Sequence, residues 1–243
     1  MLHPERIGHT DEGSQAMTAR KPSRATGRSR ILILDDHPMT RYGMARLIEQ
    51  EADLAVCGEA ENAQCALAAV KALKPRLVLA DLSLPGGEGL EFIKDMRALH
   101  PKVAVLVVSM HDETLYAERA LRAGARGYIM KNEGGEKLVE AIRQVLQGNT
   151  YLSKSMSGRV MDIFSTRRRR TDGSLLDKLT DREFEVFRLM GQGLTTHEIG
   201  ERLRLSTKTV ETHRIHVRQK LQIKSGPALL KYAVRWAGTQ DLI

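Results

Sequence analysis

The sequence predicts a doubly wound α/β domain built on a five-stranded parallel sheet, followed by a small all-α domain. Three observations predict it. Between residues 31 and 147, five short apolar runs alternate with helix-like stretches. The runs are apolar throughout rather than alternating, as in strands covered on both faces. From residue 179 the strand-like runs stop and only helical spacing remains.

Each element has its own signal. Ile31-Leu32-Ile33-Leu34 opens a strand over 31–35, and Pro38 suits the first turn of a helix over 38–50. A strand over 54–59 leads to a helix over 62–73, whose Ala66, Leu67, Val70 and Leu73 share one face before Lys74-Pro75 ends it. Leu77-Val78-Leu79-Ala80 gives a strand over 77–81, followed by a helix over 87–99. A strand over 103–109 precedes a helix over 112–123, which Gly124 can close in left-handed conformation. The last strand, 127–130, is followed by a helix over 135–147 with Leu138, Ile142, Val145 and Leu146 on one side and Gly148 at its end.

Beyond residue 179, Thr180-Asp181-Arg182-Glu183 and Thr195-Thr196-His197-Glu198 both have capping-box spacing. Phe184, Val186, Phe187, Leu189 and Met190 follow the first box, and Ile199 and Leu203 the second. Gly191 and Gly193 break the first helix, and Ser206 can cap a third. That third helix carries Val210, His213, Val217 and Leu221 as an inward stripe. A short helix, a tight turn at Arg204-Leu205-Ser206 and a longer helix give a helix-turn-helix layout. A final helix near Pro227 to Ala237 is more apolar than one core face needs, so both core packing and a symmetric dimer contact are open for it.

Charge divides the chain along the same lines. The 243 residues carry a net charge of +8 and are 42% apolar. Residues 1–30 hold six basic and three acidic residues, 31–152 hold 14 and 17, and 153–243 hold 18 and ten. We therefore read 1–30 as a disordered basic tail, 31–148 as an acidic α/β domain, 149–178 as a linker and 179–243 as a basic helical domain. The linker contains Arg167-Arg168-Arg169-Arg170, whose mutual repulsion suits a mobile segment; contact with nucleic-acid phosphates is the second reading of that run. No apolar run approaches the ~20 residues of a membrane span, and no secretory signal is seen. Cys57 and Cys65 lack metal-ligand spacing and read as reduced, buried thiols of a cytoplasmic protein. The basic half suggests a polyanionic partner.

Chemistry-bearing residues stand at the strand ends. Asp35 and Asp36 follow the first strand, Asp81 the third, Ser109 ends the fourth and Lys131 follows the fifth. In an open parallel sheet the functional crevice lies at these carboxyl ends. Three converging carboxylates repel one another, and a hard divalent cation such as Mg²⁺ relieves that repulsion. A carboxylate beside such a cation can act as nucleophile toward a phosphoryl group, with Lys131 and Ser109 neutralising and hydrogen-bonding the transferred oxygens. A hydrolytic phosphatase would place a second Asp two residues after the nucleophile as general acid; here Ser83 stands there, so the reading is a persistent signal rather than an enzyme.

These residues resemble a two-component response regulator of the NarL/FixJ type, with a flavodoxin-like receiver and a LuxR-type helix-turn-helix. The resemblance rests on Leu34-Asp35-Asp36-His37-Pro38, Asp81-Leu82-Ser83-Leu84-Pro85-Gly86, Val108-Ser109-Met110, Lys131, Leu179-Thr180-Asp181-Arg182-Glu183 and Thr209-Val210-Glu211-Thr212-His213. It implies Asp81 as phosphoacceptor. It implies Asp36, Asp81 and the Ser83 carbonyl as Mg²⁺ ligands, with Asp35 supporting the metal through water. Ser109 and Tyr128 take the switch positions, Lys131 the phosphate contact, and a sensor histidine kinase is the donor. Gly87-Glu88-Gly89, Gly134-Gly135, Gly200 and Thr207 depart from the usual residues, and the second pair predicts a loosely started last receiver helix.

On the third helix the outward face holds Lys208, Glu211, Thr212, Arg214, Ile215, Arg218 and Gln219. Such a helix fits the major groove of double-stranded DNA. Lys208, Arg214 and Lys220 suit phosphates, whereas Glu211, Thr212 and Ile215 suit base edges and thymine methyls. The expectation is a bacterial, cytoplasmic transcription regulator whose phosphorylation controls dimerisation and promoter binding. The alternative is phosphorylation-independent DNA binding with the first domain as an interaction platform.

Overall fold

Strand and helix alternate through ten elements before the chain turns all-helical. The computed structural model describes residues 27–84, 88–153, 156 and 175–240. The elements are β1 (Ser29–Leu34), α1 (Pro38–Glu49), β2 (Leu54–Ala60), α2 (Ala63–Leu73), β3 (Leu77–Ala80), α3 (Gly89–Leu99), β4 (Ala104–Ser109), α4 (Glu113–Ala123), β5 (Gly127–Met130) and α5 (Gly135–Leu146). All four strand pairings are parallel, in the order β2-β1-β3-β4-β5. The doubly wound reading therefore holds. Ile31, Leu32, Ile33 and Leu34 are all fully buried, because alternate residues face different helical layers. Ile31 and Ile33 pack with α1 and α5, while Leu32 and Leu34 pack with α2 and its neighbours.

β1 begins two residues before its apolar run. The Ser29 amide donates to Asp53 O at 2.7 Å and the Arg28 guanidinium to Glu51 O at 2.8 Å. These residues are polar because they sit at the open amino end of the sheet, so hydropathy alone cannot reveal them. At the other edge β5 is covered by the chain leaving α5. Tyr128 N–H donates to Tyr151 O, and Tyr151 N–H to Arg126 O, at 2.9 and 3.1 Å. This removes an unpaired strand edge. α3 starts at Gly89, where a Cβ would lie 2.5 Å from Leu82 Cα. The Gly there lets α3 press against the loop that follows β3. α5 starts at Gly135 behind Gly134 (φ 90°) without a side-chain cap, as the paired glycines suggested.

The second domain consists of a short 3₁₀ turn (Leu175–Lys178), then α6 (Asp181–Gly191), α7 (Thr196–Leu203), α8 (Thr207–Lys220) and α9 (Gly226–Gln240). Both capping boxes form. Ser206 caps α8, and Arg204 supplies the left-handed turn residue (φ 53°) between α7 and α8. Residues 1–26, the Pro85-Gly86-Gly87 triplet and Arg167–Arg170 with the Asp172-Gly173-Ser174 turn lie outside the described residues.

Glu183 serves two helices at once. Its carboxylate accepts the Thr180 amide at 2.8 Å and the Lys220 ammonium at 2.6 Å. Burial pushes this carboxyl upward, but Lys220 and Thr180 outweigh it and hold it below the usual carboxylate range. A depressed carboxyl contributes stability above its unfolded pKa, and that stability is lost as pH falls through the folded value. Glu183→Gln is therefore expected to lower stability by about 1–2 kcal/mol at neutral pH, with the gap to wild type narrowing in acid. Denaturant titration at both pH values checks this, and a gap that widens in acid would contradict it.

Candidate functional site

The backbone ladder runs one residue past β1, β3 and β5 and thereby fixes the polar residues there. Asp35 N–H donates to Ala60 O at 3.1 Å, Asp81 N–H to Leu34 O at 2.9 Å and Lys131 N–H to Ser109 O at 2.8 Å. β1 and β3 are neighbours although β2 separates them in sequence. That reversal of strand order opens the crevice between their carboxyl ends, and Asp35 and Asp81 flank it.

Asp35 and Asp81 are almost completely buried, at 0% and 1% exposure. Lys131 Nζ lies 2.7 Å from Asp35 Oδ2 and 2.7 Å from Asp81 Oδ2. Burial alone would lower the Lys131 pKa, but Asp81 and Asp35 outweigh it and raise the value. The other oxygens are also held: His37 N–H donates to Asp35 Oδ1 at 2.8 Å and Ser83 N–H to Asp81 Oδ1 at 3.0 Å. Ligand atoms of Asp35, Asp36, His37 and Asp81 all lie within 4.8 Å of one another. Three carboxylates against one ammonium leave two formal negative charges, which one divalent cation balances. Asp35 Oδ2 is ion-paired with Lys131 and Asp36 Oδ1 with the His37 ring, and neither oxygen has a hydrogen bond of normal geometry. The acidic pocket has the oxygen-rich donor set typical of Mg²⁺ binding.

His37 was missed as part of this cluster by the reading of strand ends. Its Nδ1 lies 2.7 Å from Asp36 Oδ1. Its position directly after the two aspartates was the available signal.

A second set of contacts leads away from the pocket. The fully buried Ser109 accepts the His111 amide at 3.2 Å. The buried Tyr128 hydroxyl donates to His111 O at 2.8 Å, and His111 Nε2 pairs with Ser83 Oγ at 3.2 Å. Burial, followed by the Arg188 charge, pushes the His111 pKa down to about 4, so its ring is neutral at pH 7. That ring stacks on Tyr116 of α4, with centroids 4.7 Å apart.

Tyr116 in turn meets the second domain. Its ring stands edge-on to Phe184 of α6 at 5.5 Å, and Phe184 is edge-on to Trp236 of α9 at 5.7 Å. Arg119, one turn further along α4, lies 4.2 Å over the Phe184 ring. It donates to Leu176 O at 2.8 Å, Leu179 O at 3.2 Å and Asp181 Oδ1 at 3.1 Å. Lys94 of α3 reaches Asp181 Oδ2 at 2.8 Å. No strand-end or helical-face pattern pointed to Tyr116, Arg119 or Lys94.

The helix-turn-helix faces outward. Val210, Val217 and Leu221 are buried and His213 half-buried, so the inward stripe forms. Lys208, Glu211, Thr212 and Ile215 are exposed, while Arg214 and Arg218 are partly covered. Glu211 Oε1 accepts from Arg214 and from Thr196 Oγ1 of α7, both at 2.8 Å. Lys220, expected on phosphates, pairs here with Glu183. On α9, Leu229 and Ala233 are buried, whereas Leu230, Tyr232 and Val234 are 42%, 36% and 48% exposed. One face of α9 thus belongs to the core and another is open. Among the described residues no helix is long and apolar enough to cross a membrane.

Comparison with known proteins agrees with this geometry. Residues 31–143 match the response regulator receiver domain, and residues 177–233 match the bacterial regulatory proteins of the luxR family. The oxygen regulatory protein NreC of Staphylococcus carnosus is 35% identical over 210 residues, covering 85% of this chain and 97% of NreC. A LuxR-family two-component response regulator from Aurantimonas sp. is 33% identical with a TM-score of 0.53, covering 57% of this chain and 99% of that one. RcsB from Salmonella enterica serovar Typhimurium, solved on the rprA promoter with the phosphomimetic BeF₃⁻, is 25% identical with a TM-score of 0.59, covering 85% of this chain and 98% of that one.

Proposed function

The chain belongs to the response regulators that join a receiver domain to a LuxR-type DNA-binding domain, and on that footing we propose that it regulates transcription under control of phosphorylation at Asp81. The observation that carries this is the Lys131 ammonium held 2.7 Å from both Asp35 and Asp81 at the reversal point of the sheet. In this reading residues 31–148 form the receiver, 149–178 the linker and 179–243 the DNA-binding domain, all acting in the cytoplasm. Asp36, Asp81 and the Ser83 carbonyl would hold Mg²⁺, with Asp35 supporting it through water. The bound cation supplies charge neutralisation between acceptor and phosphoryl oxygens.

The Asp81 carboxylate attacks the phosphorus carried on a histidine of the sensor kinase. A phosphorus–oxygen bond forms while the phosphorus–nitrogen bond breaks, its electron pair passing to the imidazole. Lys131 follows the transferred group as a point charge. Ser109 turns toward one phosphoryl oxygen and so weakens its contact with the His111 amide. His111 carries the Tyr128 bond and the stack on Tyr116, so the change reaches the face on which α6 rests. Two states with different affinity for DNA are all that this control requires. The open face of α9 is the surface through which the phosphorylated form would dimerise. RcsB dimers have been solved on DNA, which supports a dimer as the DNA-bound form.

Double-stranded DNA is read by α8. Lys208, Arg214 and Arg218 suit phosphates and Glu211, Thr212 and Ile215 suit bases. Lys208→Ala is expected to weaken binding similarly on all sequences and to lower the salt slope by about 1, while Thr212→Ala alters sequence preference. Fluorescence anisotropy over a salt series separates the two; equal effects from both would contradict the assignment.

One observation favours the alternative reading, phosphorylation-independent binding. The reading face of α8 stays exposed while α6 is docked on α4. Promoter binding with and without beryllofluoride decides between them. A rise in affinity with beryllofluoride supports control by Asp81, and unchanged affinity overturns it.

A further inference from the structure

A cleft of about 610 Å³ opens at the amino ends of the strands, opposite the acidic pocket. Its size falls within the range of small-molecule sites. It is lined by Arg76 before β3, Arg97 at the end of α3, Lys102 before β4 and Arg126 before β5, and among the described residues no carboxylate lines it. This is unexpected in a domain with more acidic than basic residues. Val103 and Leu146 add an aliphatic wall.

Neutralisation of helix ends does not account for this charge. The carboxyl ends of α3, α4 and α5 converge here, and each carries about half a negative charge. Four full positive charges face a total of roughly −1.5, leaving an excess of more than two. Arg97 is partly used, since it donates to Arg122 O at 3.1 Å, and Arg76 donates to Ser29 Oγ at 3.2 Å. Lys102 and Arg126 have no side-chain partner among the described residues. The backbone is shaped around this arrangement. At Gly124 (φ 130°) a Cβ would lie 2.8 Å from the Arg97 side chain, so the glycine keeps that stem laid along the cleft wall.

We propose that this cleft binds an organic polyphosphate of nucleoside-triphosphate size, with Lys102, Arg126, Arg97 and Arg76 on the phosphates and the aliphatic wall against the base. Arginine and lysine together offer the forked and point-charge contacts that phosphate groups take. The site is independent of Asp81, which lies at the other end of β3.

The test is isothermal titration of the full chain with ATP, inorganic triphosphate and adenosine. ATP is expected to saturate near or below about 1 mM, triphosphate to bind more weakly and adenosine not to bind. The Lys102→Ala/Arg126→Ala double variant should weaken ATP binding by at least about tenfold, because each charge-assisted contact is worth about that factor. Both side chains are exposed, and an unchanged thermal midpoint without ligand checks the fold. Absence of saturation with ATP overturns the proposal. So does binding that survives in the double variant, the result that adsorption to the basic DNA-binding domain would give.

Discussion

Asp81→Asn is expected to reduce phosphoryl labelling from acetyl phosphate to background. The amide keeps the shape of the side chain but cannot act as the acceptor oxygen. The loss should be complete rather than partial, because no other carboxylate occupies the same position. Asp35 is held at Oδ1 by the His37 amide and at Oδ2 by Lys131. Asp36 is a quarter exposed and faces His37. Lys131 retains Asp35 as a partner in the variant, so the fold should survive. Radiolabelled acetyl phosphate with Mg²⁺, followed by acid-stable separation, measures the effect. Undiminished labelling of Asp81→Asn would remove Asp81 from the acceptor role.

Arg119→Ala should separate the two domains. This one side chain gives three hydrogen bonds and a ring contact across the interface. The carbonyls of Leu176 and Leu179 each lose a charged donor, and Phe184 loses the cation over its face. Charge-assisted bonds and a desolvated cation–π contact together amount to roughly 3 kcal/mol, a factor of order 10² in the docking equilibrium. Small-angle scattering should show a larger radius of gyration, and trypsin should reach Lys94 and the α6 amino terminus sooner. The thermal midpoint of each domain should change little. An unchanged scattering curve would mean that the Lys94–Asp181 pair and apolar contacts suffice to hold the domains.

Much of this was legible before any coordinates. Continuous apolar runs mark strands buried on both faces, and such runs end where the sheet opens to solvent. Asp35, Asp81, Ser109 and Lys131 could therefore be assigned to one edge from their position alone. The capping boxes at Thr180 and Thr195 were equally readable, since both partners lie within one turn. The first two residues of β1 were not, because they pair through backbone amides and their side chains are polar. The contacts among Arg119, Asp181 and Lys94 were invisible for a different reason. Their partners lie far away in sequence, with no periodicity linking α4 to α6. The Lys220–Glu183 pair was hidden for the same reason, since the two residues sit on different helices.

The amino-terminal turn of α6 gathers more than one allegiance. Asp181 takes Arg119 and Lys94 from the receiver, and Glu183, two residues on, takes Lys220 from the end of α8. On the proposed reading, the path from the receiver to α8 therefore runs through a single helical turn. On that reading a tilt of α4 would not need to travel through the core of the DNA-binding domain, because Asp181 and Glu183 share that turn. Angular play, more than occlusion, would then set how well two half-sites are met at once.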